Sequence, residues 1–232
     1  MNPVLMLTHN CLELTKRCVA SLDQQDMPNQ IYMFDNGSTD GTREWMADTF
    51  GYGGTWTALN RGVSYPWNFG IRTFFETKSK YRSDHILVVN NDTILPPWFY
   101  RELLSYDVPF VTGISVDNMD QIKEPAPRVE LVGHPDFSAF LIRRDAWDKI
   151  GPFDERMKFY AQDCDYHVRA HRLGIPLWCA NVPFYHARSS TLQLAPEKER
   201  LEIGEQANRD RQVFREKYGC IPGEPAYEEL FQ

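Results

Sequence analysis

The sequence lacks the features that mark membrane-spanning, exported or zinc-binding proteins. No apolar run reaches the roughly 18 residues that a membrane-spanning helix needs. The start, MNPVLMLTHN, has no basic segment and leads directly into a strand-like stretch, which does not fit a signal peptide. The five cysteines are scattered, without a Cys-x-x-Cys pair or a disulfide framework. We therefore expect a protein without a membrane span that resides in the reducing cytoplasm.

Positive charge is also scarce. The 25 Lys and Arg residues are outnumbered by 32 Asp and Glu residues, which gives a formal net charge of −7. A protein that mainly coats nucleic acid needs a basic face for the phosphates. The balance of charge therefore disfavours that class, while a local cationic site remains compatible with it.

Glycine is missing where a phosphate-binding loop would need it. The first predicted strand is followed by Thr8-His9-Asn10-Cys11. A dinucleotide-dependent oxidoreductase would carry G-x-G-x-x-G at such a position. A sugar nucleotidylyltransferase would also be expected to carry a glycine-rich loop there. Both classes are therefore disfavoured.

The first half of the chain alternates between strand-like and helix-like segments. Short apolar runs predict strands over residues 4–8, 31–34, 55–59 and 86–89, and apolar residues at helical spacing predict helices over 12–24, 42–50 and 67–78. This order predicts an α/β fold with a mainly parallel, Rossmann-like central sheet and helices on its faces.

The second half is less regular. We expect a loop or small ribbon over residues 114–135, strands over 137–142 and 182–185, and helices over 144–150, 162–172 and 196–218. The whole is interpreted as one domain over residues 1–219, in two halves of 1–112 and 113–219. The last residues, 220–232, contain two prolines and a glycine and are expected to form a surface tail.

The segment HILVVNNDTILP, residues 85–96, is the most informative stretch. Its apolar run predicts a buried strand that ends in Asn90, Asn91 and Asp92. Open α/β sheets bind ligands at the carboxyl ends of their strands. A carboxylate there can hold a hard divalent cation, which in turn can hold a diphosphate. A strand followed by an ordinary polar turn is the alternative.

Three further loops are expected at the same edge of the sheet, because right-handed crossovers carry the loops after parallel strands to one side. They contain Thr8-His9-Asn10, Asp35-Asn36-Gly37 and Asn60-Arg61-Gly62. Asp35 can accept a hydrogen bond from a nucleobase N–H. Arg61 is either a solvated surface residue or a cation that neutralises phosphate or packs beside a base.

Two later segments carry candidate catalytic chemistry. Asp163 and Asp165 lie near a predicted helix start, where the helix dipole favours carboxylates, so capping is one explanation. Asp163 can instead be a base that takes a proton from an acceptor hydroxyl. His186 follows a predicted strand and is either structural or a metal ligand, for which manganese suits better than calcium.

Taken in order, these segments resemble the family 2 glycosyltransferases with the GT-A fold. The resemblance spans about residues 3–219 and is specific because the segments occur as an ordered series. The matching segments are VLMLTHN, FDNGSTDGT, NRGVSYPWNFGI, VVNNDTILP, DFSAFLIRRDAWDKIGPFDERM, FYAQDCDYHVRAHRLGI, VPFYHARSS and VFREKYG.

The resemblance implies an inverting, metal-dependent sugar transfer. The donor would be a UDP-, dTDP- or GDP-sugar bound with Mn²⁺ or Mg²⁺. The acceptor would be a glycan or another hydroxyl compound, with a nucleic acid less favoured. Residues 1–112 would bind the nucleotide sugar, and residues 113–219 would form an acceptor and catalytic half with a small second sheet.

The resemblance also implies residue roles. Donor-binding residues would be Thr8, Asn10, Asp35, Arg61, Asn90, Asn91 and Asp92. Asp92 and His186 would hold the metal, and Asp163 would be the catalytic base. The sugar and acceptor would lie near Asp136, Ser138, Gln162 and Arg169.

Two positions depart from the family pattern. Asn90 stands where the first acid of Asp-x-Asp is expected, and Gln162 stands in place of the usual Glu before the base. Both changes remove negative charge, which could lower metal affinity and alter the sugar pocket. A catalytically weakened nucleotide-sugar-binding domain is therefore the alternative interpretation.

Overall fold

The structure, a computed structural model, describes residues 2–51, 54–76, 82–123, 126–130, 136–188 and 190–232. Its strands are β1 (Pro3–Thr8), β2 (Gln30–Asn36), β3 (Thr55–Thr57), β4 (His85–Asn90), β5 (Thr93–Ile94), β6 (Phe110–Val116), β7 (Ala126–Glu130), β8 (Ala139–Arg143) and β9 (Trp178–His186). Its α-helices are α1 (Leu12–Asp23), α2 (Thr42–Phe50), α3 (Ser64–Glu76), α4 (Phe99–Ser105), α5 (Arg144–Ile150), α6 (Gln162–Arg172), α7 (Ser190–Leu194), α8 (Glu197–Tyr218) and α9 (Pro225–Glu228).

These strands form a central sheet in the order β3-β2-β1-β4-β8-β6-β9-β5, and β7 pairs with β9. Strands β1 to β4 are parallel to one another. Strand β8 runs antiparallel to both β4 and β6, while β6 and β9 are parallel. The predicted α/β architecture is confirmed, and the short strands β5 and β7 extend this same sheet.

Both faces of the sheet are buried, and this explains the uninterrupted apolar runs of β1 and β4. Alternate residues of a strand point to opposite faces. Leu5 and Val88 therefore pack with α3, α5 and α6, whereas Val4 and Val89 pack with α1, α2 and α4. Helices that bury an apolar stripe against the sheet were therefore predicted at the correct place. The bounds of α2, α5 and α6 are those expected from the sequence.

Strand β6 and helix α4 were not predicted, because prolines stand just before both elements and a glycine interrupts the apolar pattern of β6. Gly113 lies within β6, and a Cβ there would come within 2.6 Å of the Phe99 ring and 2.8 Å of the Val182 carbonyl oxygen. The glycine thus permits close packing of α4 and β9. The loop expected over residues 114–135 contains the end of β6, a 3-10 turn and β7, and residues 124–125 and 131–135 lie outside the described residues.

The C-terminal residues are packed and do not form the expected surface tail. Tyr227 is fully buried and joins Phe214, Cys164 and Cys220 in a third apolar cluster between α6, α8 and α9. Phe231 packs its ring on His167 at 4.5 Å. The prolines of this segment lie in a short turn and at the start of α9. Proline content alone therefore did not justify the prediction of a surface tail.

No helix in the described part of the chain is both long and apolar enough to cross a membrane. No disulfide joins the five cysteines, all of which lie in the described ranges.

Candidate active site

The strand order brings distant parts of the chain to one edge of the sheet. Strands β1, β2 and β4 end there because they are parallel. Strand β8 begins there, since Ala139 pairs with Val89 at the end of β4. Strand β9 ends there, and its last residue, His186, pairs with Thr93 of β5. Asp92, Ser138 and His186 are therefore neighbours.

A cavity of about 260 Å³ opens at this edge. Four of the predicted site residues line it, namely Asn90, Asn91, Asp92 and His186. Its apolar wall contains Leu7, Val63, Phe159, Leu192 and Ile203. Leu192 and Ile203 come from α7 and α8, so the C-terminal helices close a cavity whose floor is the end of the sheet.

Asp92 and His186 form the pair in this cavity that could hold a divalent cation. The Asp92 Oδ1 atom lies 3.4 Å from His186 Nε2. Asn90 Oδ1 is buried and has no hydrogen-bond partner among the described residues. Those residues contain no ready-made group of three or more His, Cys, Asp or Glu ligands. A carboxylate, an imidazole and an unpartnered amide oxygen fit a cation that takes its other ligands from a bound phosphate.

A polar network lies behind His186. The Ser138 hydroxyl donates to Asp136 Oδ1, and it lies 3.1 Å from His186 Nδ1 and 3.4 Å from Nε2. Asp136 also accepts hydrogen bonds from Ser138 N at 3.0 Å and from the Ser115 hydroxyl at 2.6 Å. Its Oδ2 atom is 3.6 Å from His186 Nδ1. Asp136 and Ser138 therefore hold the imidazole in place, a contact that their predicted sugar role did not anticipate.

This network changes the protonation of its members. Burial disfavours the charged form of both Asp136 and His186, but their mutual interactions dominate. Hydrogen bonds from His186, Ser115 and Ser138 hold the pKa of Asp136 well below its usual range. Burial lowers the pKa of His186, yet Asp136 and Asp92 together raise it to about 9. The site thus concentrates two carboxylates around one imidazole.

The predicted nucleoside pocket is occupied largely by internal hydrogen bonds. Asp35 is fully buried, and its carboxylate accepts from Ser38 N at 3.2 Å and from Arg43 Nε at 3.1 Å. The Asn91 amide nitrogen lies within 3.1 Å of both Thr8 Oγ1 and the Asn10 carbonyl oxygen. Asn91 and Thr8 therefore shape the loops after β1 and β4 by binding each other.

Asn10 and Arg61 lie on the outer part of this region. Asn10 has a left-handed backbone with φ of 52°, and its Oδ1 accepts from Thr39 N at 2.8 Å. Arg61 is exposed, with its guanidinium 4.3 Å from the centre of the Tyr65 ring. Both side chains lie beside the cavity without belonging to its lining, so their contacts with a nucleotide stay predictions.

Asp163 occupies the first turn of α6. Ala161 precedes the helix in a left-handed conformation with φ of 66°, which sets the direction in which α6 begins. The Asp163 carboxylate accepts a hydrogen bond from Cys164 N at 2.8 Å. Burial, with a further contribution from the charge of Asp136, raises its pKa to about 6. Such a carboxylate accepts a proton more readily than an ordinary surface aspartate. The neighbouring Gln162 is buried, and its Oε1 has no partner among the described residues.

Arg169 makes several hydrogen bonds within the protein. Its guanidinium donates to Asp165 Oδ2 at 2.9 Å and to the carbonyl oxygens of Ile150 at 2.6 Å and Pro152 at 2.9 Å. Asp165 also accepts from Lys217 and from the Tyr218 hydroxyl. These bonds give Arg169 a structural role, and its contact with a sugar or an acceptor stays a prediction.

Several cavity residues were not singled out by the sequence. Asn36 is buried, and its amide donates to Asn60 Oδ1 and to the Gly62 carbonyl oxygen, both at 2.8 Å. His9 lies with Nδ1 2.9 Å from the Asn36 carbonyl oxygen and Nε2 2.6 Å from Glu199 of α8. His9 and Asn36 both lie in the polar loops that were predicted at this edge. The contact of His9 with Glu199 joins residues 190 positions apart, so no local sequence pattern could indicate it.

Comparisons with other proteins agree with this geometry. The family described as Glycosyl transferase family 2 matches residues 4–149. Among curated proteins, none matches the chain by sequence. The fold is similar to that of S. aureus TarS 1-349, with a TM-score of 0.60, 14% identity, and coverage of 100% of this chain and 78% of that chain.

Two further solved structures are similar. The mannosyltransferase PcManGT from Pyrobaculum calidifontis, in complex with GDP-Man and Mn²⁺, gives a TM-score of 0.60 at 16% identity over 99% of this chain and 67% of that chain. Glucosyl-3-phosphoglycerate synthase from Mycobacterium tuberculosis, in complex with Mn²⁺, UDP and glucosyl-3-phosphoglycerate, gives 0.61 at 14% identity over 96% and 81%. At these identities the matches establish a shared GT-A fold.

Proposed function

Because the chain belongs to glycosyl transferase family 2, we propose that it moves a sugar from a nucleoside diphosphate donor to an acceptor hydroxyl with inversion at the anomeric carbon. The observation that carries this proposal is the meeting of Asp92 and His186 in one cavity at the carboxyl edge of the sheet. Open α/β sheets bind nucleotides at that edge.

The donor would lie along the cavity. Its nucleoside fits against the loops after β2 and β3, where Asn36 and Asn60 line the wall, and its diphosphate fits beside Asp92 and His186. Asp35 and Arg61 flank the nucleoside end. Similar structures hold GDP-Man with Mn²⁺ or UDP with Mn²⁺ or Mg²⁺, which supports both the donor class and the metal.

Asp92, His186 and the donor phosphates would hold Mn²⁺ or Mg²⁺. The bound cation supplies positive charge that offsets the negative charge on the departing diphosphate. Asp136 and Ser138 keep the imidazole directed at Asp92. The Asn90 amide oxygen, buried without a partner among the described residues, is available to the same group.

Asp163 would act as the base. Its pKa of about 6 lets it be ionised near neutral pH while still accepting a proton from the acceptor hydroxyl as attack proceeds. The hydroxyl oxygen attacks the anomeric carbon on the face opposite the diphosphate, which inverts the configuration. The remaining rate enhancement comes from holding the two substrates in place and from fixed charges around the leaving group.

The decisive experiment combines a donor panel with one substitution. Wild-type protein is incubated with UDP-, dTDP- and GDP-sugars and Mn²⁺, and nucleotide binding and slow donor hydrolysis are measured. Asp163→Asn is expected to keep donor binding and to lose transfer by about 100-fold or more. Asp148→Asn, on the exposed side of α5, is the matched control and should behave as wild type.

A nucleotide-sugar-binding domain with weakened catalysis is the second candidate. The observation that favours it is the loss of negative charge at Asn90 and Gln162. Turnover by the wild type that disappears in Asp163→Asn would eliminate this candidate. Binding of a nucleotide sugar without turnover on any acceptor would support it instead.

A further inference from the structure

A second groove continues from the donor cavity along α8. The two spaces share Tyr160, Leu192 and Ile203 in their walls, so the groove lies directly beside the cavity. Its volume is about 480 Å³, enough for a sugar and an attached group. Gly204 lies in its wall, and no atom lies within 4 Å of the position a Cβ would take there, so the groove is open at this point.

The groove carries two arginines that no carboxylate neutralises. Helix α8 contains six basic residues, and four of them form ion pairs. These four are Lys198 with Glu202, Arg209 with Glu205, Arg215 with Glu224, and Lys217 with Asp154 and Asp165. Within the described ranges, Arg200 and Arg211 are the two without an acidic partner, and both line the groove.

The surroundings of the two arginines favour an anion. The Arg211 guanidinium lies 5.5 Å from the centre of the Tyr160 ring and donates to Asn208 Oδ1 at 3.3 Å. Among the residues that the structure describes, Glu205 is the one carboxylate in the groove wall, and it lies 3.7 Å from Arg209. A protein with net charge −7 has thus kept two uncompensated positive charges beside its donor cavity. Arginine suits planar, bidentate contacts with phosphate and carboxylate.

We propose that this groove is the acceptor site and that the acceptor carries a phosphate or carboxylate group close to the hydroxyl that is glycosylated. Arg200 and Arg211 bind the anionic group, and Tyr160 supplies a flat apolar surface between that group and the donor cavity. This assignment rests on the proposed glycosyl transfer. Four arginines elsewhere in the chain, Arg143, Arg144, Arg156 and Arg169, each form an ion pair with an aspartate.

The test uses matched anionic and neutral probes on protein saturated with Mg²⁺ and with the nucleoside diphosphate that the donor panel selects. Glucose 6-phosphate and glucose are titrated separately, and binding is followed by NMR. We expect glucose 6-phosphate to bind at least about tenfold more tightly than glucose, the factor that corresponds to one charge-assisted hydrogen bond. The double variant Arg200→Ala/Arg211→Ala should lose this preference.

The double variant Lys198→Ala/Arg209→Ala is the matched control, because it removes the same charge from the same helix outside the unpaired positions. It should keep the preference for glucose 6-phosphate. Equal binding of both probes by wild type, no binding of glucose 6-phosphate, or equal losses in the two double variants would each overturn the acceptor assignment. Nucleotide binding and slow donor hydrolysis should persist in all variants. Their absence from wild type would instead refute the proposed function.

Discussion

If Asp163 is the base, as proposed, the protonation of this one side chain sets the rate of the transfer. Burial, together with the charge of Asp136, raises its pKa to about 6. A base works only when it is deprotonated, so kcat/KM should be level above about pH 7 and should fall about tenfold per pH unit below pH 6. Measuring kcat/KM from pH 5 to 8.5 at constant ionic strength checks this.

The pH profile also distinguishes Asp163 from an ordinary carboxylate. If the acidic limb has its midpoint near pH 4, the base is a solvated carboxyl group elsewhere. A stability measurement over the same range should accompany the kinetics, since unfolding at low pH would imitate the loss of a base. Asp148→Asn should give the same acidic limb as wild type, because its carboxylate is exposed on α5.

Ser138 offers a second test at the scale of one residue. Its hydroxyl proton is directed at Asp136, so its oxygen can only accept from the nearer imidazole nitrogen, Nδ1 of His186. Nε2 is then the nitrogen that would bind a cation beside Asp92, and the cation would displace the Nε2 proton that the raised pKa of about 9 keeps there near pH 7. Ser138→Ala should weaken Mn²⁺ binding by about 10- to 100-fold in the presence of the nucleoside diphosphate. Electron paramagnetic resonance of free Mn²⁺ measures this affinity without requiring turnover.

The control for Ser138 is Ser105→Ala, which removes an exposed hydroxyl bonded only to the Glu102 carbonyl oxygen. It should leave Mn²⁺ affinity unchanged. A Ser138→Ala variant with normal Mn²⁺ affinity would show that Asp136 alone, 3.6 Å from Nδ1, is sufficient to orient His186. A lower thermal stability without a change in affinity would assign the hydroxyl a structural role.

At the scale of elements, local sequence pattern predicted those strands and helices whose burial is regular. Strands β1 and β4 are apolar on both faces, and α6 begins at Gln162 as its pattern indicates. Strand β6 was missed because Pro109 precedes it directly and Gly113 interrupts it, and the reason for Gly113 is the ring of Phe99 on a different element. The contact that requires glycine at this position forms only when α4 packs on the sheet, so the local sequence does not indicate it.

The same limit applies to the candidate site. Asn90 to Asp92 could be identified because they end an apolar strand, and the parallel order brings the loops after β1 and β2 to them. The contribution of α8 could not be predicted, since the contact of His9 with Glu199 depends on tertiary packing. The structural contacts of Arg169 could not be predicted for a related reason, because its partners Ile150 and Pro152 contribute only backbone oxygens.

Helix α8 is held to the cavity by one buried carboxylate. Asp210 is fully buried, and its Oδ2 accepts from Phe159 N at 2.8 Å and from Tyr160 N at 3.1 Å. Asp210→Ala leaves the partly buried amides of Phe159 and Tyr160 without this acceptor, so we expect the unfolding free energy to fall by about 1–3 kcal/mol. Because Phe159 and Tyr160 line the cavity, KM for the donor should also rise.

Chemical denaturation and donor kinetics measure these two effects. Asn208→Ala, on an exposed position of the same helix, is the control and should change stability by less than about 0.5 kcal/mol. Asp210→Asn retains one acceptor oxygen and should fall between the two. An unchanged donor KM in Asp210→Ala would mean that Phe159 and Tyr160 keep their positions without the hydrogen bonds to Asp210.

At the scale of the whole molecule, the sheet, the C-terminal helices and the bound ligand are expected to act as one thermodynamic unit. The cavity lies between the sheet edge and α8, and the third apolar cluster fixes α8 to α6. A donor nucleotide that contacts both sides therefore binds the folded chain and not the unfolded one. Binding should consequently raise the stability of the entire domain by mass action.

This coupling gives a prediction that depends on Asp92. At about 100 times its dissociation constant, a nucleoside diphosphate with Mn²⁺ should stabilise the fold by roughly 2.7 kcal/mol. For a domain of this size that corresponds to a rise in Tm of about 5–10 °C. Nucleotide alone should give a much smaller rise, because its diphosphate then lacks the cation. Mn²⁺ alone should also give little, because Asp92 and His186 provide too few ligands to hold it without the phosphates. Asp92→Asn should abolish the Mn²⁺-dependent part of this rise. Asp117→Asn should keep it, because the Asp117 carboxylate is exposed and pairs with Arg188.

If no nucleoside diphosphate gives a metal-dependent rise in wild type, Asp92 is not a metal ligand. The proposed donor site would then have to bind its diphosphate without a cation, through uncharged donors and arginines alone.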